Sequence, residues 1–172
     1  MKKIVLTGPE STGKSSLAKS LSDYYNAPIV DEYAVEYLKK TNGKYQYKDL
    51  ALIAKGQIEL EDTIISNNKS DLVFIDTDLI TIKIWSKVKY NKVSRWIMKT
   101  IRERDYDLYL LCKPDIPWEY NEFRENPDDR DWLFTLYEKE LKKYKKKYAI
   151  IEGLEQSRID KAIDMIEELL TP

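Results

Sequence analysis

The chain has 172 residues, 42% of them hydrophobic, which is enough for one core and short for two, so a single domain spanning 1–172 is expected. Lysine plus arginine (29) balance aspartate plus glutamate (30), so no excess field gathers a polyanion and nucleic acid is excluded as the main partner. The absence of histidine excludes imidazole bases, serine–histidine triads and histidine-ligated metals, leaving carboxylates, lysine and backbone dipoles to carry any chemistry.

In chain order, Lys3–Thr7 reads as the first strand, and Gly8-Pro9-Glu10-Ser11-Thr12-Gly13-Lys14-Ser15 follows it directly as a Walker A phosphate-binding loop. Glycines at both ends of the loop let backbone N–H groups converge on phosphate oxygens with no Cβ in the way. Lys14 is placed to reach the β/γ-phosphates and the Ser15 hydroxyl to sit on Mg²⁺, while the N-terminus of the helix that follows adds to the attraction. That helix, Ser15–Tyr25, presents Leu17, Leu21 and Tyr24 on one face. A second strand at Ala27–Val30 precedes helices at Glu32–Lys40 and Tyr47–Asn67, the latter with Leu50, Ile53, Ala54, Ile58 and Ile65 as apolar positions. The third strand, Leu72–Asp76, leads to helices at Leu79–Lys89 and Val93–Arg104, and the fourth, Leu108–Cys112, holds the one cysteine in an apolar run that favours a buried, inert thiol.

The interval Pro114–Asp131, with three prolines and two asparagines, favours turns over a continued element and is read as a mobile lid loop. After it come a helix at Asp131–Lys146, a strand at Ala149–Glu152 and a helix at Ser157–Leu170, whose Ile159, Ile163, Ile166 and Leu170 are spaced for an inward stripe. The lysine-rich run Lys139–Lys147 is interrupted by Glu140 and reads as a solvated helix face. Strands alternating with helices imply an α/β protein built on a mostly parallel sheet. No segment approaches the ~20 apolar residues that span a bilayer, and Met1-Lys2-Lys3 leads into no signal-peptide core, so a cytoplasmic protein without a membrane partner is expected.

In an open parallel sheet ligands gather at the carboxyl ends of the strands, and the polar residues there define a crevice. Asp76 has the position of a Walker B aspartate that holds Mg²⁺ opposite Ser15, the alternative being a helix N-cap for which Asp78 is better placed. Asp78 itself is evenly divided between cap and substrate ligand. Glu32 faces the γ-phosphate position and is the preferred general base, against the alternative of a carboxylate favoured by the helix macrodipole, while Asp31 suits a cap. Arg124 and Arg130, on the lid, suit neutralisation of charge developing on a transferred phosphoryl group. Tyr33, Trp85 and Trp118 either stack on a flat ligand ring or serve as packing. The segment after the last strand, Gly153–Arg158, is read as the base-binding segment and lacks the Asn-Lys-x-Asp pattern of guanine sites, which favours ATP as the nucleotide.

The Walker A loop from Gly8 to Ser15, Glu32-Tyr33 with Glu36, Phe74-Ile75-Asp76-Thr77-Asp78 with Leu79-Ile80-Thr81, and Pro117-Trp118-Glu119-Tyr120 leading to Arg124 together resemble the ribosylnicotinamide kinase domain of the bacterial NadR family over nearly the whole chain. The resemblance implies a three-layer P-loop kinase-like fold with a five-stranded sheet in the order 2-3-1-4-5, helices on both faces and a lid at 114–131. It also implies ATP- and Mg²⁺-dependent phosphorylation of the 5′-hydroxyl of nicotinamide riboside. Carried over by position, Gly8 to Ser16 would bind ATP, Asp76 would serve the metal and the hydroxyl, Arg124 would belong to the lid, and Glu32, Tyr33 and Gln57 would lie near the nucleoside. With the residues read above, the expected set is Lys14, Glu32, Asp76, Arg124 and Arg130 for the transfer, Ser15 and Asp76 for the metal, and Glu32, Tyr33, Gln57, Asp78 and Trp118 for the substrate. Many relatives carry arginine two positions after the tyrosine of the Glu-Tyr pair, where this chain has Val35. Longer members add a DNA-binding helix-turn-helix and an adenylyltransferase domain, for which these 172 residues leave no room, so neither repression nor dinucleotide synthesis is expected.

Two classes of function follow. The first is a small-molecule kinase acting on a nucleoside; the second is a nucleotide-dependent binding module in which ATP or GTP orders the lid. A homo-oligomer is compatible with either.

Overall fold

The computed structural model describes residues 1–171, so Pro172, the last residue of the expected domain, lies outside the described residues. Strands β1 (Lys2–Thr7), β2 (Ile29–Val30), β3 (Leu72–Asp76), β4 (Leu108–Cys112) and β5 (Tyr148–Ile151) form one sheet in the order β2-β3-β1-β4-β5. Every neighbouring pair is parallel, as the alternation of strands and helices requires. Helices α1 (Lys14–Tyr25), α2 (Tyr33–Lys40), α3 (Tyr47–Ser66), α4 (Leu79–Tyr90), α5 (Arg95–Glu103), α6 (Arg130–Lys143) and α7 (Glu155–Leu170) make the connections.

The strands are buried on both sides, so their apolar residues divide by parity between two cores. Ile4, Leu6, Phe74, Leu108 and Leu110 pack under α1 and α7, whereas Val5, Val73, Ile75, Tyr109 and Leu111 pack under the helices from α2 to α6. Register then fixes the site. Leu6 lies level with Asp76 on β3 and with Leu110 on β4, so the loop that leaves β1 and the carboxylate that ends β3 emerge side by side at one edge.

Several boundaries differ from the periodicity reading, each for a local reason. Tyr24 is 63% exposed, and Tyr25 replaces it on the inner face, its ring 5.9 Å from that of Phe74, because Leu17, Leu21 and Tyr25 fall on one i, i+4 line. Strand β2 has only Ile29 and Val30, since Pro28 has no N–H to donate to the ladder, although its carbonyl accepts from Phe74. Helix α6 stops at Lys143 because Lys145 takes a left-handed conformation (φ 53°) that turns the chain toward β5. Helix α7 begins at Glu155, two residues before Ser157, whose hydroxyl donates back to the Leu154 carbonyl, and Ala162 and Ile166 form its buried centre while Leu170 is 38% exposed.

Candidate active site

The loop between β1 and α1 is shaped by two positive-φ glycines. Gly8 (φ 135°) lets the loop pass against β4, since a Cβ there would stand 2.6 Å from the Cys112 carbonyl oxygen; Gly13 (φ 73°) is the residue that caps α1. Gly8→Ala is therefore expected to cost about 1–3 kcal/mol through strain and overlap, read as a lowered Tm. Cys112 is buried at this contact, as its apolar context suggested.

Lys14, the first residue of α1, directs its ammonium back over the loop, donating to the Pro9 carbonyl at 2.7 Å. Ser15 Oγ donates to Asp76 Oδ2 at 2.5 Å, the contact that the β1–β3 register prepares. Asp76 is 4% exposed, and its other oxygen, Oδ1, has no hydrogen-bond partner, an expensive condition for a carboxylate. Burial raises the pKa of Asp76 above the ordinary carboxylate range, against the pull of Lys14 and the Ser15 hydrogen bond. A hydroxyl beside an orphaned carboxylate oxygen is a donor set that fits Mg²⁺, which takes one or two protein oxygens and completes its shell with phosphate oxygens and water. Among the described residues no cluster of three or more acidic or cysteine side chains competes for a metal ion.

Glu32, in the turn between β2 and α2, lines the same pocket as Lys14 and Ser15. Burial pushes its pKa up to about 7; the charge on Asp76 adds to this, and Lys14 opposes it. The site thus holds two carboxylates that resist ionising together, with a lysine between them in charge.

The remaining expected residues divide. Asp78 caps α4: Oδ1 accepts from the Ile80 amide at 3.1 Å, and Oδ2 accepts from the Tyr109 hydroxyl at 2.9 Å. Gln57 is buried, its side chain donating to the Asp31 carbonyl and accepting from the Tyr33 amide. The Tyr33 ring packs against Gly56 of α3. Trp118 lies against Arg124 and Arg130, whose guanidinium carbons are 6.0 and 5.7 Å from its ring centre. Sequence pattern shows residue type and neighbourhood but not side-chain direction, which only the folded chain supplies.

The segment between β4 and α6 is folded onto the phosphate loop. Arg124 donates to Ser11 Oγ (3.2 Å) and the Glu119 carbonyl (2.5 Å), and Arg130 to the carbonyls of Ser11 (2.8 Å) and Ile116 (3.0 Å). Glu10 accepts from the amides of both Glu125 and Asn126 at 3.0 Å. On the far side Lys89 of α4 bonds Glu125 and Tyr45, and Trp85 donates to the same Tyr45 hydroxyl. These contacts roof a cavity of about 820 Å³. Its lining includes the loop from Gly8 to Ser16, Arg124 and Arg158, together with Glu32, Val35, Trp85, Phe123 and Tyr137.

Residues 3–158 match the AAA domain family. The chain belongs to that family. It is 25% identical over 174 residues to the trifunctional NAD biosynthesis/regulator protein NadR of Escherichia coli (strain K12), an alignment covering 97% of this chain and 42% of the relative. A crystal structure of NadR protein in complex with NR superposes with a TM-score of 0.86 and 26% identity over 98% of this chain and 49% of that one. A second, of NadR protein in complex with NAD and AMP-PNP, gives a TM-score of 0.80 and 25% identity over the same shares. The chain spans less than half the length of these relatives, and over that part both the resemblance to the NadR family and the expected strand order are borne out.

Among the family's AAA-domain elements, one buried group was missed by sequence reasoning. Arg158, 5% exposed on α7, bonds the carbonyls of Thr12, Lys113 and Gly153 and the Asp115 carboxylate, tying the phosphate loop to the ends of β4 and β5. An arginine one turn into an amphipathic helix gives no sign of this. No helix of the described residues is long and apolar enough to cross a membrane.

Proposed function

We propose that the protein is an ATP-dependent nucleoside kinase, one domain with residues 114–131 as its lid, that phosphorylates the 5′-hydroxyl of nicotinamide riboside. The observation that carries this reading is the pairing, in one roofed cavity, of a phosphate loop bearing the Ser15–Asp76 couple with a half-buried Glu32 whose pKa lies near 7. A switch needs the loop; only transfer to an acceptor needs a poised base opposite it.

Ser15 and Asp76 would hold Mg²⁺, which when bound neutralises charge between the β- and γ-phosphates. Lys14 leaves the Pro9 carbonyl for phosphate oxygens. Glu32 takes the proton of the acceptor hydroxyl as the new oxygen–phosphorus bond forms and the bond from γ-phosphorus to the bridging oxygen of ADP breaks. Arg124, held on the lid over Ser11, meets charge on the transferred group. ATP as donor is supported by the AMP-PNP bound in a NadR relative, and nicotinamide riboside by the NR bound in another. The acceptor wall agrees with a flat, cationic ring: Trp85 and Tyr137 offer aromatic faces, and Glu32 a negative charge. Lys89, the basic group of that wall nearest the lid, is committed to Glu125 at 2.7 Å, which suits a nucleoside better than an acceptor already bearing phosphate.

Incubation with ATP, Mg²⁺ and a nucleoside panel, followed by mass spectrometry, is expected to yield nicotinamide mononucleotide. Slow ATP hydrolysis with no phosphorylated nucleoside would favour the switch instead. The lid supplies a further check. Glu10 holds two of its amides, so Glu10→Ala should raise the ratio of ADP formed to acceptor phosphorylated by roughly tenfold as water gains access. An unchanged ratio would remove Glu10 from lid closure.

A further inference from the structure

We infer that Gln57 is a positioning residue that holds Glu32 opposite Lys14 and Asp76. The need arises from the edge of the sheet. Strand β2 is two residues long and pairs with β3 alone, so the turn after it, which carries Glu32, has little support from the ladder. Helix α2 starts directly after Glu32 and has no side-chain cap of its own.

The support comes from α3. Gln57 is 2% exposed, and its amide grips the backbone on each side of Glu32: Oε1 accepts from the Tyr33 N–H at 2.8 Å, and Nε2 donates to the Asp31 carbonyl at 3.2 Å. One side chain thereby caps α2 and fixes the preceding peptide. A primary amide is the group that can do both, having a donor and an acceptor on one rigid plane. The preceding residue makes a second hold. Gly56 lies inside the 20-residue helix α3, where glycine weakens the element, yet a Cβ there would stand 2.1 Å from Tyr33 Cε1. The gap is filled by the Tyr33 ring. Gly56 and Gln57 together seat Tyr33 and so set where the neighbouring Glu32 carboxyl projects.

This role rests on the kinase reading, in which Glu32 is the base, and its test separates the two. Steady-state kinetics of Gln57→Met and Gln57→Glu are measured in the wild-type and Glu32→Gln backgrounds, with circular dichroism to verify folding. Gln57→Met should lower kcat by about 10–100-fold with both KM values within about threefold, since small misplacement of a reacting group is costly. In the Glu32→Gln background it should cause no further loss, because a residue acting through Glu32 has nothing left to act on. Gln57→Glu, which keeps the acceptor for Tyr33 and loses the donor to Asp31, should fall between, and it decides the question if Gln57→Met does not fold. Equal losses in both backgrounds, or a raised acceptor KM with unchanged kcat, would overturn the role. A wild-type protein that phosphorylates no nucleoside sinks the kinase reading instead. Hydrogen exchange at the Tyr33 amide then still tests the hold itself: it should quicken in Gln57→Met, and an unchanged rate overturns the inference.

Discussion

Replacement of Lys14 by alanine is expected to lower kcat about a thousandfold and to displace the pH profile of what activity remains. The first effect is the loss of a charge that, on the kinase reading, rests on the β/γ-phosphates, and losses of roughly 10²–10³ accompany removal of one preorganised group of this kind. The second follows from the electrostatics of the pocket. Lys14 lowers the pKa of both Glu32 and Asp76, opposing a burial that raises each of them. Without it both carboxyls hold their protons to higher pH, so the acidic limb of kcat/KM should move upward. Lys14→Arg is not expected to rescue, because a planar guanidinium is bulkier and cannot act as a compact point charge over the loop that the ammonium reaches through Pro9. Turnover within tenfold of wild type, with normal ATP affinity, would refute the assignment of the loop.

The parts of this arrangement that were legible in the sequence are those set by local pattern. The apolar runs at Leu72–Asp76 and Leu108–Cys112 become β3 and β4 with the boundaries read from sequence, since a strand buried on both faces admits few polar residues. The Walker A loop announces its turn through Gly8 and Gly13, and the position of Asp76 after Val73-Phe74-Ile75 suffices to bring it to Ser15. Side-chain direction was not legible. The Asp78 cap on Ile80 is local and was readable, but the bonds of Gln57 to Tyr33 and of Tyr109 to Asp78, and the seat of Tyr33 at Gly56, join separate elements. Partners 24 or 31 residues away leave no trace in a pattern of types. The same holds for Arg158, whose bond to Thr12 crosses 146 residues.

Glu32→Gln is the variant in which catalysis and stability should move in opposite directions. As general base the carboxyl must be ionised, and burial together with Asp76 raises its pKa from 4.5 to about 7. Wild-type kcat/KM should therefore rise with pH through about 7 and level off above it. Glu32→Gln should lose about 10²–10⁴ in kcat and that limb with it. A limb retained near pH 7 would take the titration away from Glu32 and with it the role of general base. The stability effect has the opposite sign. Because the folded pKa is raised, between the unfolded value and about 7 the native state binds more protons than the unfolded chain, so this carboxyl makes the ligand-free protein less stable as pH rises through that window. Glutamine carries no such charge. Thermal denaturation at pH 5 and pH 8 should show a smaller drop for the variant than for wild type, and at pH 8 the variant should melt higher. Activity gained from a half-buried, reluctant carboxylate is thus set against stability at the same residue. A variant that is slower and also less stable at pH 8 would mean that Glu32 holds the β2–α2 turn rather than the acceptor's proton.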